Sequence, residues 1–500
     1  MTHENFRVSA NSVALMTIAG LAILLVLVAV GSAQVVEYVY SFTGANSSAY
    51  PGLVTPSQGP DGGLYGTASG QQSGTDYGTI FELKTAGGLK QLYTFDSTSG
   101  AVPVGGVTLA SDGNFYGAAS SGGSASNGVL FQMALDGAYT VLHEFTGGSD
   151  GTAPQAPPIV GSDGNLYGTT LGNATTASTI YKYTRSTGMF TTLYQFDQAH
   201  GSSIFAPLIQ AKDASLYGVA EFGAANGCGS IFKFSLSGTL LWFYSFPCAP
   251  GGANPIGPLL QGADGNLYGT TSQGGNIGGP GVGTVFKVNQ NGAVSILYNF
   301  QSFFNGGADG STPEAGLVQA TDGKLYGAAS AGGSANRGTL FQITTSGMYK
   351  QLYSFPKDAG GAVPLAAPLQ DTNGLLYGTT LEGGRFGFGV VYRLNMDLAP
   401  FVALVRYAGN AGSTAQILGQ GFTGTTSVTF NGVAATSFKV LTDTFMTAVV
   451  PSGATTGPVV VTTPGGALTS NKNFRIVGGT AKAIRAKSSQ LVFHAAKNTN

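Results

Sequence analysis

DGNLYGTTSQGGNIGGPGVGTVFKVNQNGAVSILYNF (264–300) carries three landmarks in order: a Tyr-Gly pair just after an Asp-Gly turn, a Gly-Thr-x-Phe run, and a Tyr-x-Phe run. The same landmarks recur along the chain. The Tyr-Gly pair appears at Tyr65, Tyr116, Tyr167, Tyr217, Tyr268, Tyr326 and Tyr377, at spacings of 51, 51, 50, 51, 58 and 51. The second landmark follows each time, from GTIF (78–81) to GVVY (389–392). The third follows six times, from LYTF (92–95) to LYSF (352–355), and is missing after the seventh. Its seventh copy, VYSF (39–42), stands ahead of the first repeat. A linear solenoid tolerates such a period but has no need of a displaced copy. A ring does, because its last unit must be joined to its first. The expected fold is therefore all-β, a seven-bladed β-propeller over 35–397, with blade 7 completed by strand 35–42.

Composition agrees. Of 500 residues 79 are Gly, charged residues are 9% and aromatics 11%. Ordinary soluble domains hold roughly 25% charge. Disorder wants the reverse balance, and there is no Gly-X-Y period for collagen. A net charge of −1 leaves no electrostatic footprint for nucleic acid. Sheets covered on both faces read as continuous apolar runs, as in LYGTT (267–271) and GTIFEL (78–83). Glycine inside such strands is expected to let neighbouring blades approach closely.

The repeated Asp (Asp61, Asp112, Asp163, Asp213, Asp264, Asp322) stands four residues before each Tyr. One carboxylate per unit is too few for a calcium loop, and no metal or other cofactor is expected. An Asp-Gly hairpin turn, with both residues tolerating positive φ, explains it. The seventh repeat has Asn373-Gly374, and Asp213-Ala214 should be the most strained turn. Cys228 and Cys248 flank the tight c–d hairpin of the fourth repeat and are placed to face each other across it. The readings are a disulfide, as an oxidising compartment allows, or two free thiols.

The amino terminus supports export. Arg7, an apolar run at 13–30 and small residues Gly31 and Ala33 make a signal peptide over 1–33, cleaved after Ala33. The alternative is an uncleaved membrane anchor. Localisation is then secreted, periplasmic or cell-surface. Past Pro400 the repeat gives way to short β-rich runs, expected to form a small sandwich over 398–477, and 478–500 is a mildly basic flexible tail.

The repeat DGNLYGTT–GTVFKV–LYNF resembles the GloVer tandem repeat of bacterial exported proteins. That resemblance implies repeats combined with varied carboxy-terminal anchors; it does not imply a catalytic activity. LGQGF (418–422), VTFNG (428–432), VVPSGATTGPVVVTT (449–463) and Phe474 look like an IPT/TIG domain, an immunoglobulin-like β-sandwich that acts as a spacer or binding module.

Loop lengths vary between strands b and c and between d and the next a, which share one face of a propeller. Function gathers on variable loops over a rigid scaffold. Phe303, Phe304, Arg337, Arg385 and Phe386 are the candidate ligand-binding residues there, for a glycan or surface protein. Each has the alternative of packing locally. Enzyme chemistry, a polysaccharide lyase or glycosidase, would need converging groups. His143, His200 and Glu221 are weaker candidates than Glu314 and Glu382, and spacing implies no pair. The leading expectation is a non-catalytic, monomeric binding or envelope scaffold protein, with a purely structural spacer as a third reading.

Overall fold

The computed structural model describes residues 36–44, 49–51, 55–71, 75–275, 281–301, 309–357 and 360–477. The export segment 1–33, the tail 478–500, Phe303 and Phe304 lie outside them. Among the described residues the chain forms strands and no helix. The architecture is all-β and β-propeller-like, built of repeated four-stranded antiparallel sheets. Each of the first six repeats gives one sheet in the order a-b-c-d, as in Ile209–Gln210, Leu216–Ala220, Ser230–Phe234 and Leu240–Ser245. The seventh repeat supplies Leu369–Gln370, Leu376–Thr380 and Val390–Leu394. Its fourth strand is Val36–Ser41 from the amino terminus, in register Val36↔Leu394 and Tyr38↔Tyr392. The Phe42 N–H donates to the Gly389 carbonyl at 3.0 Å, and Arg393 Nε donates to Glu37 Oε2 at 2.7 Å.

In every sheet the Tyr-Gly glycine lies directly opposite the aromatic of strand c: Gly66 and Phe81, Gly117 and Phe131, through to Gly378 and Tyr392. A Cβ at Gly117 would stand 2.3 Å from the Phe131 ring, and one at Gly168 2.3 Å from the Tyr181 ring. These glycines therefore clear space inside their own sheet, rather than between sheets as the sequence suggested. The ring laid over the glycine then receives the Phe that ends strand d of the preceding repeat. The pairs are Phe95–Phe131, Phe145–Tyr181, Phe196–Phe232, Phe246–Phe286, Phe300–Phe341 and Phe355–Tyr392, with centroids 4.9–5.6 Å apart. Phe42 packs on Phe81 in the same way at 5.4 Å. One apolar cluster, holding Phe42, Leu64, Phe81, Tyr377 and Val391, thus joins the last sheet to the first.

The a–b turns are three-residue loops closed by two backbone bonds, Gly62 N–H to Gly59 O at 3.0 Å and Gly59 N–H to Gly63 O at 2.8 Å. Only the third loop residue takes positive φ, as at Gly62 (79°) and Gly265 (82°). Asp does not, which corrects the two-residue turn expected. Its carboxylate is used twice. In the fifth repeat Asp264 Oδ1 accepts the Asn266 N–H at 3.1 Å and Oδ2 accepts the Tyr268 hydroxyl at 2.6 Å. The Tyr–Asp bond recurs in the first six repeats, and Asn373 donates to Tyr377 in the seventh at 3.2 Å. Ala214 sits at φ 65°, where a Cβ costs roughly 1–2 kcal/mol, so the strain expected there is present.

A second layer of bonds links the turns around the axis. Gln210, three residues before its Asp, accepts the Ser162 N–H of the preceding repeat at 2.7 Å. Gln261 does so from Lys212 at 2.8 Å, Gln319 from Ala263 at 2.7 Å and Gln370 from Thr321 at 2.9 Å. Gln58 takes the Thr372 N–H at 3.3 Å and donates to its Oγ1 at 2.7 Å, closing the layer from the seventh repeat to the first.

Residues 401–477 form two four-stranded sheets, with Thr414–Leu418 and Phe445–Val449 central in one and Ser427–Phe430 and Val459–Thr463 central in the other, and a short parallel pair, Ala408–Gly409 with Arg475–Ile476. Burial alternates along these strands, as in a sheet covered on one face. Ile417, Phe422, Phe430, Met446, Val461 and Phe474 meet in one core between them.

Phe42→Ala should lower stability by about 3–5 kcal/mol in denaturant titration, as a buried Phe in any other strand d would; a cost typical of a frayed terminus would contradict it. Glu82 holds the strand-c position that is Lys182, Lys233 and Lys287 in other repeats and Gln132 or Gln342 in two more. It is buried; that burial and the adjacent Asp61 raise its pKa, against Lys84 and Lys90. A carboxyl raised in the folded state contributes stability that is full at low pH and is lost as pH rises past the ordinary carboxylate range. Glu82→Gln should therefore stabilise at pH 8 and gain nothing at pH 3, as read by thermal melts.

Candidate functional site

The b–c and d–a loops lie together and are knit by short bridges: Ala101↔Ser121, Ser202↔Phe222, Ala253↔Gln273 and Ser311↔Ala331. In the fourth repeat a Cys228–Cys248 disulfide, Cα atoms 5.4 Å apart, ties the two loops. Closing a loop of that length contributes about 3 kcal/mol.

Of the residues singled out from sequence, Arg385 and Phe386 are exposed at one loop tip, with the guanidinium carbon 5.3 Å from the ring centroid. Arg337 is half-buried in the neighbouring repeat, where its carbonyl accepts the Val363 N–H at 3.0 Å. His143 stacks on Phe190 at 3.7 Å and bonds Asp150 at 3.1 Å, and burial lowers its pKa. His200 bonds Asp197 at 2.6 Å and stands edge-on to Phe243. Each histidine bonds an Asp of its own turn and packs its ring on strand d of the next repeat. Among the described residues no group of three His, Cys, Asp or Glu side chains converges.

The carboxylates fall differently from the sequence expectation. Glu382 is exposed, and its backbone pairs with Ala362. Glu314 instead shares its field with Glu221, which follows strand b of the fourth repeat. Burial, then the Glu314 charge, pushes Glu221 up to about 7. Burial also raises Glu314, against a hydrogen bond with Ser330. One segment touches both: Asn254 Nδ2 donates to the Glu221 carbonyl at 3.4 Å, and Gly257, three residues on, lies against the Glu314 carbonyl. The Glu221 carboxyl should therefore titrate near pH 7 by NMR. Glu314→Gln should bring the midpoint down while burial keeps it above an ordinary carboxylate; an unchanged midpoint would separate the two groups.

On the opposite face, which carries the a–b turns, residues 401–477 bond the turns of the seventh, first, second and third repeats. The Phe401 N–H donates to the Thr372 carbonyl at 3.1 Å and Gln420 Nε2 to Thr372 Oγ1 at 2.9 Å. Thr444 donates to the Pro60 carbonyl at 2.8 Å, Gln416 to Ser111 at 2.8 Å and Arg406 to Ser162.

No curated protein matches the chain. Solved structures similar to it include TolB from Acinetobacter baumannii, at 15% identity and TM-score 0.36, over 61% of this chain and 62% of TolB. The chain thus spans about three fifths of the length of TolB. An oligogalacturonate lyase from Vibrio parahaemolyticus matches at 11% identity and TM-score 0.44, over 73% of this chain and 97% of the lyase. A putative 6-phosphogluconolactonase from Bacteroides uniformis matches at 18% identity and TM-score 0.40, over 59% and 82%. The family model of the Gloeobacter/Verrucomicrobia repeat matches in four overlapping stretches, 26–211, 107–305, 207–441 and 281–487. On that match, which runs without a break from residue 26 to 487 through all of the repeats and the sheets after them, the chain belongs to the Gloeobacter/Verrucomicrobia repeat family.

Proposed function

We propose that this chain is a non-catalytic, exported binding or cell-envelope scaffold protein whose ligand, a glycan, contacts the face of the b–c and d–a loops. On this reading the sheets are a seven-bladed propeller and residues 398–477 an immunoglobulin-like IPT/TIG sandwich. The observation that carries the choice of face is the occupancy of the other one: the a–b turns at Pro60, Ser111, Ser162 and Thr372 are bonded by the chain's own carboxy-terminal sheets. The Cys228–Cys248 disulfide supports export, since such bonds persist in oxidising compartments. Arg385 and Phe386 offer a cation beside an aromatic face, a pairing that suits a sugar ring bearing acidic groups.

The Glu221–Glu314 pair favours the enzyme as second reading. A glycosidase, however, sets a neutral acid against an ionised partner, and here burial raises both carboxyls. The test is a binding screen on acidic cell-wall polysaccharides with reducing ends monitored. Binding that falls at least about tenfold in Arg385→Ala/Phe386→Ala, with an unchanged melting temperature, supports the proposal. Polymer cleavage abolished by Glu221→Gln or Glu314→Gln would replace it with the enzyme.

A further inference from the structure

The axial Gln layer has a gap. The position that is Gln58, Gln210, Gln261, Gln319 and Gln370 in five repeats is Leu109 in the second and Val160 in the third. The partner of Leu109 across the first seam would be Pro60, which has no N–H to give. The turns of the first three repeats are therefore not joined by this layer. Other bonds do cross these seams: Ser57 Oγ donates to the Val107 carbonyl between the first two a strands, and Arg185 donates to the Gly164 carbonyl of the third turn at 3.2 Å. The Gly106 N–H donates to Thr67 Oγ1 at 3.0 Å, and Arg185 also pairs with Asp112.

The carboxy-terminal sheets land on this gap. Pro60, Ser111 and Ser162 are equivalent residues, each immediately before its Asp. Their carbonyls are taken in turn by Thr442 and Thr444 (3.2 and 2.8 Å), Gln416 (2.8 Å) and Arg406. The remaining side-chain bond, from Gln420, reaches Thr372 in the seventh repeat. Among the described residues every hydrogen bond from 401–477 to the repeats falls on the seventh, first, second or third, and none on the three repeats whose Gln bonds run unbroken behind them.

We infer that the carboxy-terminal sheets are a clamp on the seam of the first three repeats, supplying from outside the ring the axial ties that Leu109 and Val160 do not make. The clamp is polar and aimed at backbone carbonyls, so it reads turn geometry rather than side chains. It fixes these repeats in one arrangement and shuts that end of the axis.

The test uses the full chain and hydrogen exchange at the a–b turns. In Arg406→Ala/Gln416→Ala, the Gly113 and Gly164 amides should exchange at least about tenfold faster, with Gly265 and Gly323 unchanged. Adding Val160→Gln, which faces the Ser111 N–H, should restore protection at Gly113. Adding Leu109→Gln, which faces Pro60, should not. Equal loosening of all turns, no loosening, or equal rescue by both glutamines would overturn the inference. Should the double variant fail to fold, Val160→Gln in the otherwise unaltered chain must still slow exchange at Gly113 where Leu109→Gln does not; equal effects would overturn it.

Discussion

Each sheet holds to the next through one contact: the Phe ending strand d packs edge-on against the strand-c aromatic of the following repeat. That aromatic can lie flat over its own sheet only because the residue opposite is glycine. Two of the three landmarks are thus the two sides of a single joint, and the Tyr-Gly pair is the socket that seats it. Repeating the joint explains a composition rich in Gly and aromatics and poor in charge. It also explains why VYSF precedes the first repeat. Without Phe42 the Phe81 ring would lose its edge-on aromatic partner, and the cluster with Tyr377 and Val391 would lose its buried filler from the amino-terminal segment.

A polar layer lies closer to the axis. Asp ties the turn to the Tyr hydroxyl, and Gln ties one turn to the next. This layer is more tolerant than the aromatic joint, because a lost hydrogen bond costs about 1 kcal/mol and a lost Phe several. It is accordingly where repeats differ. Asn373 replaces Asp, Glu82 stands in a column of Lys and Gln, and Leu109 and Val160 leave the Gln layer open. The open stretch coincides with the landing site of the carboxy-terminal sheets, so variation among repeats marks one sector of an otherwise regular ring.

What the sequence revealed follows this division. Periodic apolar residues and the displaced strand were readable because sterics leave them little freedom. The cysteines were readable from hairpin symmetry. The Gln layer was also periodic, always three residues before Asp or Asn373, but its absence from the second and third repeats hid it. The glycine role was misplaced because a sequence does not say which neighbour crowds a missing Cβ. Glu221 and Glu314 were beyond reach. They occupy non-equivalent positions two repeats apart, one after strand b and one before strand a, and only the curvature of the assembled sheets brings their charges together.

The central claim is that the chain closes on itself through Val36–Ser41 as an integral outer strand. Native-state hydrogen exchange of its amides tests this most directly. The account predicts that Val36–Ser41 exchanges as slowly as the outer strand Leu240–Ser245 and responds to denaturant with the same slope, so that both open only with the whole ring. Fast exchange of Val36–Ser41, insensitive to denaturant while Leu240–Ser245 stays protected, would contradict closure.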